Sequence, residues 1–326
     1  VRGEERRMDL GVEVLRRLNS RGGLAPHLAL SFDSHLFSID TSRSPQRCTQ
    51  PDAYLITHAH SDHYGRSAML SERAVASRET ARALEIRYQR EYRGKTFSVG
   101  ESISVDGVKV KTYSTGHTIG SSAFCWETSS GASVLVTGDV KDYRPLPRCD
   151  LLVMEANYGD PWDPSCIFDD DLAGFGEALE SGASFGAYAF GKAQRAVALI
   201  RAMGFDGEIG MDPQSLCLTR ELMKDAAGPL TTVNNGETNV VTPWSLHVVR
   251  SKAKYFLTGR RDSTYPTIRL SDHLDFRGLV KMIDHVSPQQ ILVYHPQGTR
   301  SSLLAHHLRQ CGLKATGLGE IEGRLR

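Results

Sequence analysis

Short apolar runs alternate with polar, glycine-bearing turns along most of the chain, and the spacing predicts many strands and fewer helices. Residues 28–32 and 36–40 read as two strands joined across Asp33-Ser34-His35. Residues 53–57 form an apolar run ending in a threonine, the pattern of a buried strand. Residues 67–93, rich in Ala, Leu, Glu and Arg, predict a largely helical stretch. Residues 102–105 and 108–113 alternate about Asp106-Gly107, a strong hairpin signal, and 123–127 with 132–137 form another hairpin that closes on Gly138-Asp139. A fully apolar strand at 151–154 follows, then a helix running through Met203, and a strand at 254–259 expected to return to the main sheet. Residues 291–294 read as a strand, and 301–311 as a helix with Gly312 as its cap. Between 205 and 253 only a general α/β pattern is legible.

Composition adds bounds. The 326 residues, 40% hydrophobic and 24% charged, suit a globular chain with one large or two medium cores. A net charge of +1 names no partner. No apolar run approaches the roughly 18 residues of a membrane span, so no membrane association is expected. The first residues are charged and 8–19 amphipathic, unlike a signal core, and Met8 reads as a natural start. Six cysteines stand at 48, 125, 149, 166, 217 and 311 without a Cys-x-x-Cys pair. Reduced thiols and a cytoplasmic location are expected. Between 66 and 95 the basic side chains Arg66, Arg73, Arg78, Arg82, Arg87, Arg90, Arg93 and Lys95 outnumber Glu72, Glu79, Glu85 and Glu91, with Tyr88 and Tyr92 interleaved. That face could meet a phosphate backbone; an ordinary solvated helix face is the plainer reading.

The chemistry is concentrated after the strand at 53–57, where His58, His60, Asp62 and His63 follow within six positions. In extended chain His58 and His60 point the same way. Imidazoles and a carboxylate at this density suit Zn²⁺ above other cations. Downstream, His117 lies in Ser114-Thr115-Gly116-His117-Thr118-Ile119-Gly120, and Asp139 ends a strand. Asp40 also ends a strand, where an aspartate is more often a turn former.

His58 to His63 resembles the His-x-His-x-Asp-His signature of the metallo-β-lactamase fold, with His117 and Asp139 in the places of its third and fourth motifs. The resemblance implies an αββα sandwich with two Zn²⁺, for which Mn²⁺ could substitute. It implies His58, His60 and His117 on one metal, Asp62 and His63 on the second, Asp139 bridging, and Asp40 orienting the loop from beneath. A metal-bridged water, deprotonated near neutral pH, would supply the nucleophile.

The second half resembles the β-CASP nucleases of that fold. Leu151-Leu152-Val153-Met154-Glu155-Ala156-Asn157-Tyr158-Gly159 is similar to their motif A, and Phe190-Gly191-Lys192-Ala193-Gln194-Arg195 to an element of their inserted domain. Leu270-Ser271-Asp272-His273 is similar to motif B, and Ile291-Leu292-Val293-Tyr294-His295 to motif C, although His-Pro-Gln-Gly replaces the commoner His-Gly. The expected fold class is α/β: a split metallo-β-lactamase domain at 1–157 and 254–326, with a compact β-CASP-like α/β domain inserted at 158–253. Catalytic roles fall to Asp62, Glu155 and His273, the last as general acid, while His295 completes the second metal's shell. Lys192, Arg195 and Ser271 are weaker candidates for substrate contact. The implied function is hydrolysis of single-stranded nucleic acid, RNA favoured over DNA by the motif C histidine, in company with nucleic-acid-processing proteins. Alternatives are a DNA exonuclease of the ligase-associated type and a small-substrate thioesterase or lactonase.

Overall fold

The computed structural model describes residues 10–18, 24–44, 48–63, 65–259, 264–294, 299–321 and 323–325. His295 therefore lies outside the described residues. The chain divides into two compact units, one of residues 1–116, 120–166 and 273–326, the other of 117–119 and 167–272.

The first unit holds two seven-stranded sheets. One runs, in spatial order, Arg324–Leu325, Glu13–Leu18, Leu24–Phe32, His35–Ile39, Ala53–Leu55, Ala74–Ser77, Lys95–Phe97. The other runs Ala315–Gly317, Gln290–Val293, Leu151–Met154, Ser133–Val136, Ser122–Glu127, Val108–Ser114, Ser102–Val105. Each is mixed, with antiparallel hairpins giving way to parallel pairs. The turns explain the hairpins: Asp33 and Ser34, then Asp106 and Gly107, take positive φ at both central positions, matching the twist of the strands they join.

Phe37, Ile39, Leu55 and Val75 of the first sheet share a core with Phe124, Trp126, Val134 and Val153 of the second, so the sheets pack face to face. Leu151 and Val153 point into that core, while Leu152 and Met154 point the other way, against the helices Phe276–Val286 and Arg300–Gln310. A strand covered on both faces must be apolar throughout, which is why this segment shows no alternation in sequence. The helix Phe276–Val286 starts where Asp275 accepts the Gly278 N–H and buries Leu279, Met282, Ile283 and Val286, one helical stripe. The result is an α/β sandwich of metallo-β-lactamase type with extra β and α elements beyond it.

Two expectations are corrected. Residues 67–93 are not one helical stretch: a buried strand, Ala74–Ser77, interrupts them and only Arg78–Tyr88 forms a long helix. Pairing of Ala74–Ser77 between Ala53–Leu55 and Lys95–Phe97 overrides the propensity of its alanines. Ser77 then caps the helix by accepting the Thr80 N–H. The strand Lys254–Leu257 does not enter either sandwich sheet; it pairs with Ser184–Gly186 and Thr267–Ile268 in the second unit.

That second unit is built on a six-stranded, wholly parallel sheet in the order Leu230–Thr232, Ile209–Met211, Thr238–Val241, Ser184–Gly186, Lys254–Leu257, Thr267–Ile268. Its core gathers Phe175, Phe185, Val197, Ile200, Met211 and Val240 from strands and from the helices Leu172–Glu180 and Lys192–Ala202.

Candidate metal centre

The strand Ala53–Leu55 ends in an extended, buried segment that carries Thr57 and His58, and a 3₁₀ turn, Ser61–His63, swings His63 back beneath it. Asp40, at the end of His35–Ile39 with φ of 46°, sits under both. Its Oδ1 accepts the Thr57 N–H at 2.8 Å; its Oδ2 accepts the Thr57 hydroxyl at 2.6 Å and meets His63 Nδ1 at 2.9 Å. Thr57 Oγ1 has then spent its proton on Asp40, so it accepts from His58 Nδ1, 3.0 Å away. Both imidazoles thereby carry a proton on Nδ1 and turn Nε2 toward Asp139, whose Oδ2 lies 3.5 Å from His58 Nε2 and 3.4 Å from His63 Nε2.

His117 is buried, and its Nδ1 donates to the Asp272 carbonyl at 2.8 Å, which leaves Nε2 as the nitrogen a metal would take. Among the described residues four sets of donor atoms each gather within 4.8 Å: His58, His60, His117 and Asp139; Asp40, His58 and His63; Asp139, Glu155 and His273; and, with no residue in common with these, His35, Asp52 and Asp106. Asp62 is in none of these sets among the described residues; its charge bears instead on Arg87, which also donates to the Ala59 carbonyl. Tyr294, the residue before His295, brings its ring within 6.1 Å of His63.

Burial disfavours charge on these groups, and their mutual attraction reverses that for two of them. His63 is held toward its protonated form, because Asp139 and Asp40 outweigh the effect of burial. Asp139 stays well below the ordinary carboxyl range despite burial, through His63, His273 and His58. Glu155 behaves oppositely: burial lifts its carboxyl, only partly offset by His273, and the charge on Asp139 adds to the rise. Glu155 Oε1 accepts the Val140 N–H at 2.6 Å, and Oε2 lies 3.1 Å from His273 Nδ1. Asn157 Nδ2 is 3.1 Å from the His273 ring nitrogens.

The donor chemistry fits zinc. Imidazole nitrogens and carboxylates converge, and three of the imidazoles are each steadied through the other ring nitrogen by a hydroxyl, a carboxylate or a carbonyl. Thr57 and Asn157 were not expected in this network; Thr57 was legible as the one polar residue closing the apolar run before His58, and Asn157 as the amide inside the segment that supplies Glu155. Of the three weaker candidates, Lys192 is buried against Asp272, Arg195 pairs with Asp170 at 2.6 Å, and the Ser271 N–H is accepted by the same Asp170.

Donor clusters and sandwich together support a metal-dependent hydrolase. Residues 49–209 match the model of the metallo-beta-lactamase superfamily. A probable DNA ligase of Opitutus terrae is 26% identical across 92% of this chain, which spans only 31% of that relative. A crystal structure of a protein of unknown function from Enterococcus faecalis V583 superposes with a TM-score of 0.60 at 13% identity, covering 86% of this chain and 93% of the other, a likeness of fold. No helix among the described residues is long and apolar enough to cross a membrane.

Proposed function

We propose that the chain is a metal-dependent nuclease hydrolysing phosphodiester bonds of single-stranded nucleic acid. One observation carries this reading: the set His58, His60, His117 and Asp139 shares Asp139 with the set in which Glu155 holds His273. A metal site adjoining a carboxylate-held imidazole has a proton donor beside the reacting atoms. Departure of a nucleoside oxygen needs that proton, whereas a thiolate leaves without one. His273 is assigned as the general acid, Glu155 and Asn157 as the groups that hold it.

His58, His60 and His117 are assigned to one metal, Asp62, His63 and His295 to a second, and Asp139 to both, with Asp40 orienting the loop. Divalent metal, zinc in the first instance, supplies Lewis acidity toward the phosphate and a nucleophile near neutral pH when bound. The extra elements are assigned to a compact β-CASP-like insertion, expected at 158–253. Similarity to a probable DNA ligase over most of this chain favours DNA over RNA, and DNA-processing enzymes in the cytoplasm as company.

The test is zinc analysis followed by cleavage of end-labelled single-stranded DNA and RNA of one sequence, with thioester and lactone substrates alongside. The expected result is metal-dependent oligonucleotide cleavage, faster on DNA, abolished in Asp139→Ala. Turnover of a thioester or lactone with both oligonucleotides intact would refute the proposal.

A further inference from the structure

Of the cations at the start of the helix Lys192–Ala202, Lys192 is buried and Arg195 half-buried. Lys192 Nζ lies 2.9 Å from Asp272 Oδ1, with side chains only 6% and 7% exposed, and donates to the Leu270 carbonyl at 3.1 Å. Between them, the Ser271 N–H is accepted by Asp170 Oδ1 at 2.8 Å, and Arg195 Nη2 holds the other oxygen of Asp170 at 2.6 Å. Three consecutive residues, 270 to 272, are thus each fixed by a charged side chain. The carbonyl at the end of this clamp is the one that accepts from His117 Nδ1.

A buried ion pair is weak evidence for stability, because desolvating two charges offsets most of their attraction. What such a pair does well is hold one geometry. A carbonyl acceptor on Nδ1 fixes both the tautomer and the rotation of the ring, and so directs Nε2. We infer that Lys192 and Asp272, braced by Arg195 and Asp170, are positioning residues for His117: the clamp sets the Asp272 carbonyl, and the carbonyl presents the imidazole to the metal. The inference rests on the reading of His117 as a metal ligand. It gives Lys192 and Arg195 a role other than contact with substrate phosphates.

The test uses the full chain loaded with Zn²⁺ or Co²⁺. Lys192→Met/Asp272→Asn removes both charges and leaves no buried ion unpaired. Zinc affinity by chelator competition should fall by about 10–100-fold, the usual effect of losing a partner that orients a ligand. The d–d absorption of the Co²⁺ form should shift, a signature that a purely structural change distant from the ligands leaves alone. Arg195→Gln, half-buried and less disruptive, should move both readouts the same way by less, and it decides the matter if the double variant does not fold. Apo-protein affinity for oligo(dT) should be unchanged in each. Unaltered zinc affinity and Co²⁺ spectrum in folded variants would overturn the inference, as would weaker oligo(dT) binding with a reduced salt slope, which places these cations on phosphates. His117→Ala separates the two layers. If it keeps wild-type zinc affinity, the ligand reading fails; if it loses zinc while the clamp variants keep theirs, only the clamp fails.

Discussion

Asp40 Oδ2 receives two protons at once, from Thr57 Oγ1 at 2.6 Å and from His63 Nδ1 at 2.9 Å. One carboxylate thereby places the Nδ1 proton of His63 directly and that of His58 through the threonine hydroxyl. Thr57→Val keeps the shape of the side chain and removes the relay. It should weaken zinc binding by about 10–100-fold without touching a proposed ligand. Asp40→Asn should do at least as much, since it also withdraws the charge facing His63. Chelator competition on both variants checks this, and unchanged affinity in Thr57→Val would remove the threonine from the network.

Gly138 bears on the same hydroxyl from the other side. It adopts φ of +59°, and a Cβ there would lie 2.5 Å from Thr57 Oγ1 and 2.6 Å from Thr57 Cβ. Gly138→Ala therefore combines a left-handed conformation, worth roughly 1 kcal/mol or more against a non-glycine residue, with displacement of the hydroxyl that holds Asp40. Stability to urea and zinc affinity should fall together. A stable Gly138→Ala protein with normal zinc affinity would show that the loop can give way.

His63 carries a pH consequence. Its folded-state pKa is raised above the ordinary 6.5, so in the metal-free protein its contribution to stability is complete below the unfolded value and lost as pH rises through the folded one. Asp139 runs the other way: its depressed pKa gives stability present above the unfolded value and lost as pH falls. A metal on His63 needs the neutral ring, so binding must expel a proton. Titration calorimetry of zinc at neutral pH, in two buffers of different ionisation enthalpy, should give heats that differ as proton release requires. The difference should shrink in His63→Gln. Heats independent of buffer in the wild-type chain would exclude a protonated His63.

Asp150 offers a check on the scaffold away from the metals. Its Oδ2 accepts from Ser133 N and Oγ, both at 2.7 Å, and its Oδ1 from Gln289 Nε2 at 2.6 Å, tying together the starts of three neighbouring strands. Hydrogen bonds from the Ser133 backbone and hydroxyl hold the carboxyl below its ordinary value. Asp150→Ala should cost about 1–2 kcal/mol at neutral pH, the range for a hydrogen-bonded, partly exposed charged group. The gap to wild type should close as pH falls through the depressed folded-state value. Urea titrations at neutral and acid pH check both the size and the sign.

What could be read from the sequence follows from where the chemistry is written. His58, His60 and His63 crowd one segment, so residue identity alone announced the site, and Asp106-Gly107 announced its hairpin because few other pairs take positive φ twice. The strand Ala74–Ser77 was hidden because its alanines favour helix and only its neighbours in the sheet decide otherwise. The partner of His117 was hidden for a different reason: it is a backbone carbonyl, which every residue has, and only the fold places Asp272 there. The ion pairs of Lys192 with Asp272 and of Arg195 with Asp170 were not legible, because sequence reports charge and not burial, and the partners lie 80 and 25 positions away along the chain.

The role of His273 is the sharpest remaining test. It lies 3.1 Å from Glu155 Oε2 and 3.8 Å from Asp139 Oδ2, positions that suit either a proton donor held by Glu155 or a ligand grouped with both carboxylates. As the general acid, His273→Ala should retain its metals and bind oligonucleotide but cleave slowly, by ~10²–10⁴-fold. That deficit should shrink on a nitrophenyl phosphodiester, whose leaving group departs without a proton. Glu155→Gln should slow cleavage in the same substrate-dependent way, because its single amide oxygen cannot accept from both the Val140 N–H and His273 Nδ1. The double variant should be little worse than His273→Ala, since residues that act as one unit are not additive. As a ligand, His273→Ala should lose metal and lose rate equally on both substrates. Zinc stoichiometry and the two rates in these variants separate the readings: full metal with a substrate-dependent deficit assigns the proton to His273, and lost metal with a uniform deficit assigns it to the second metal's shell.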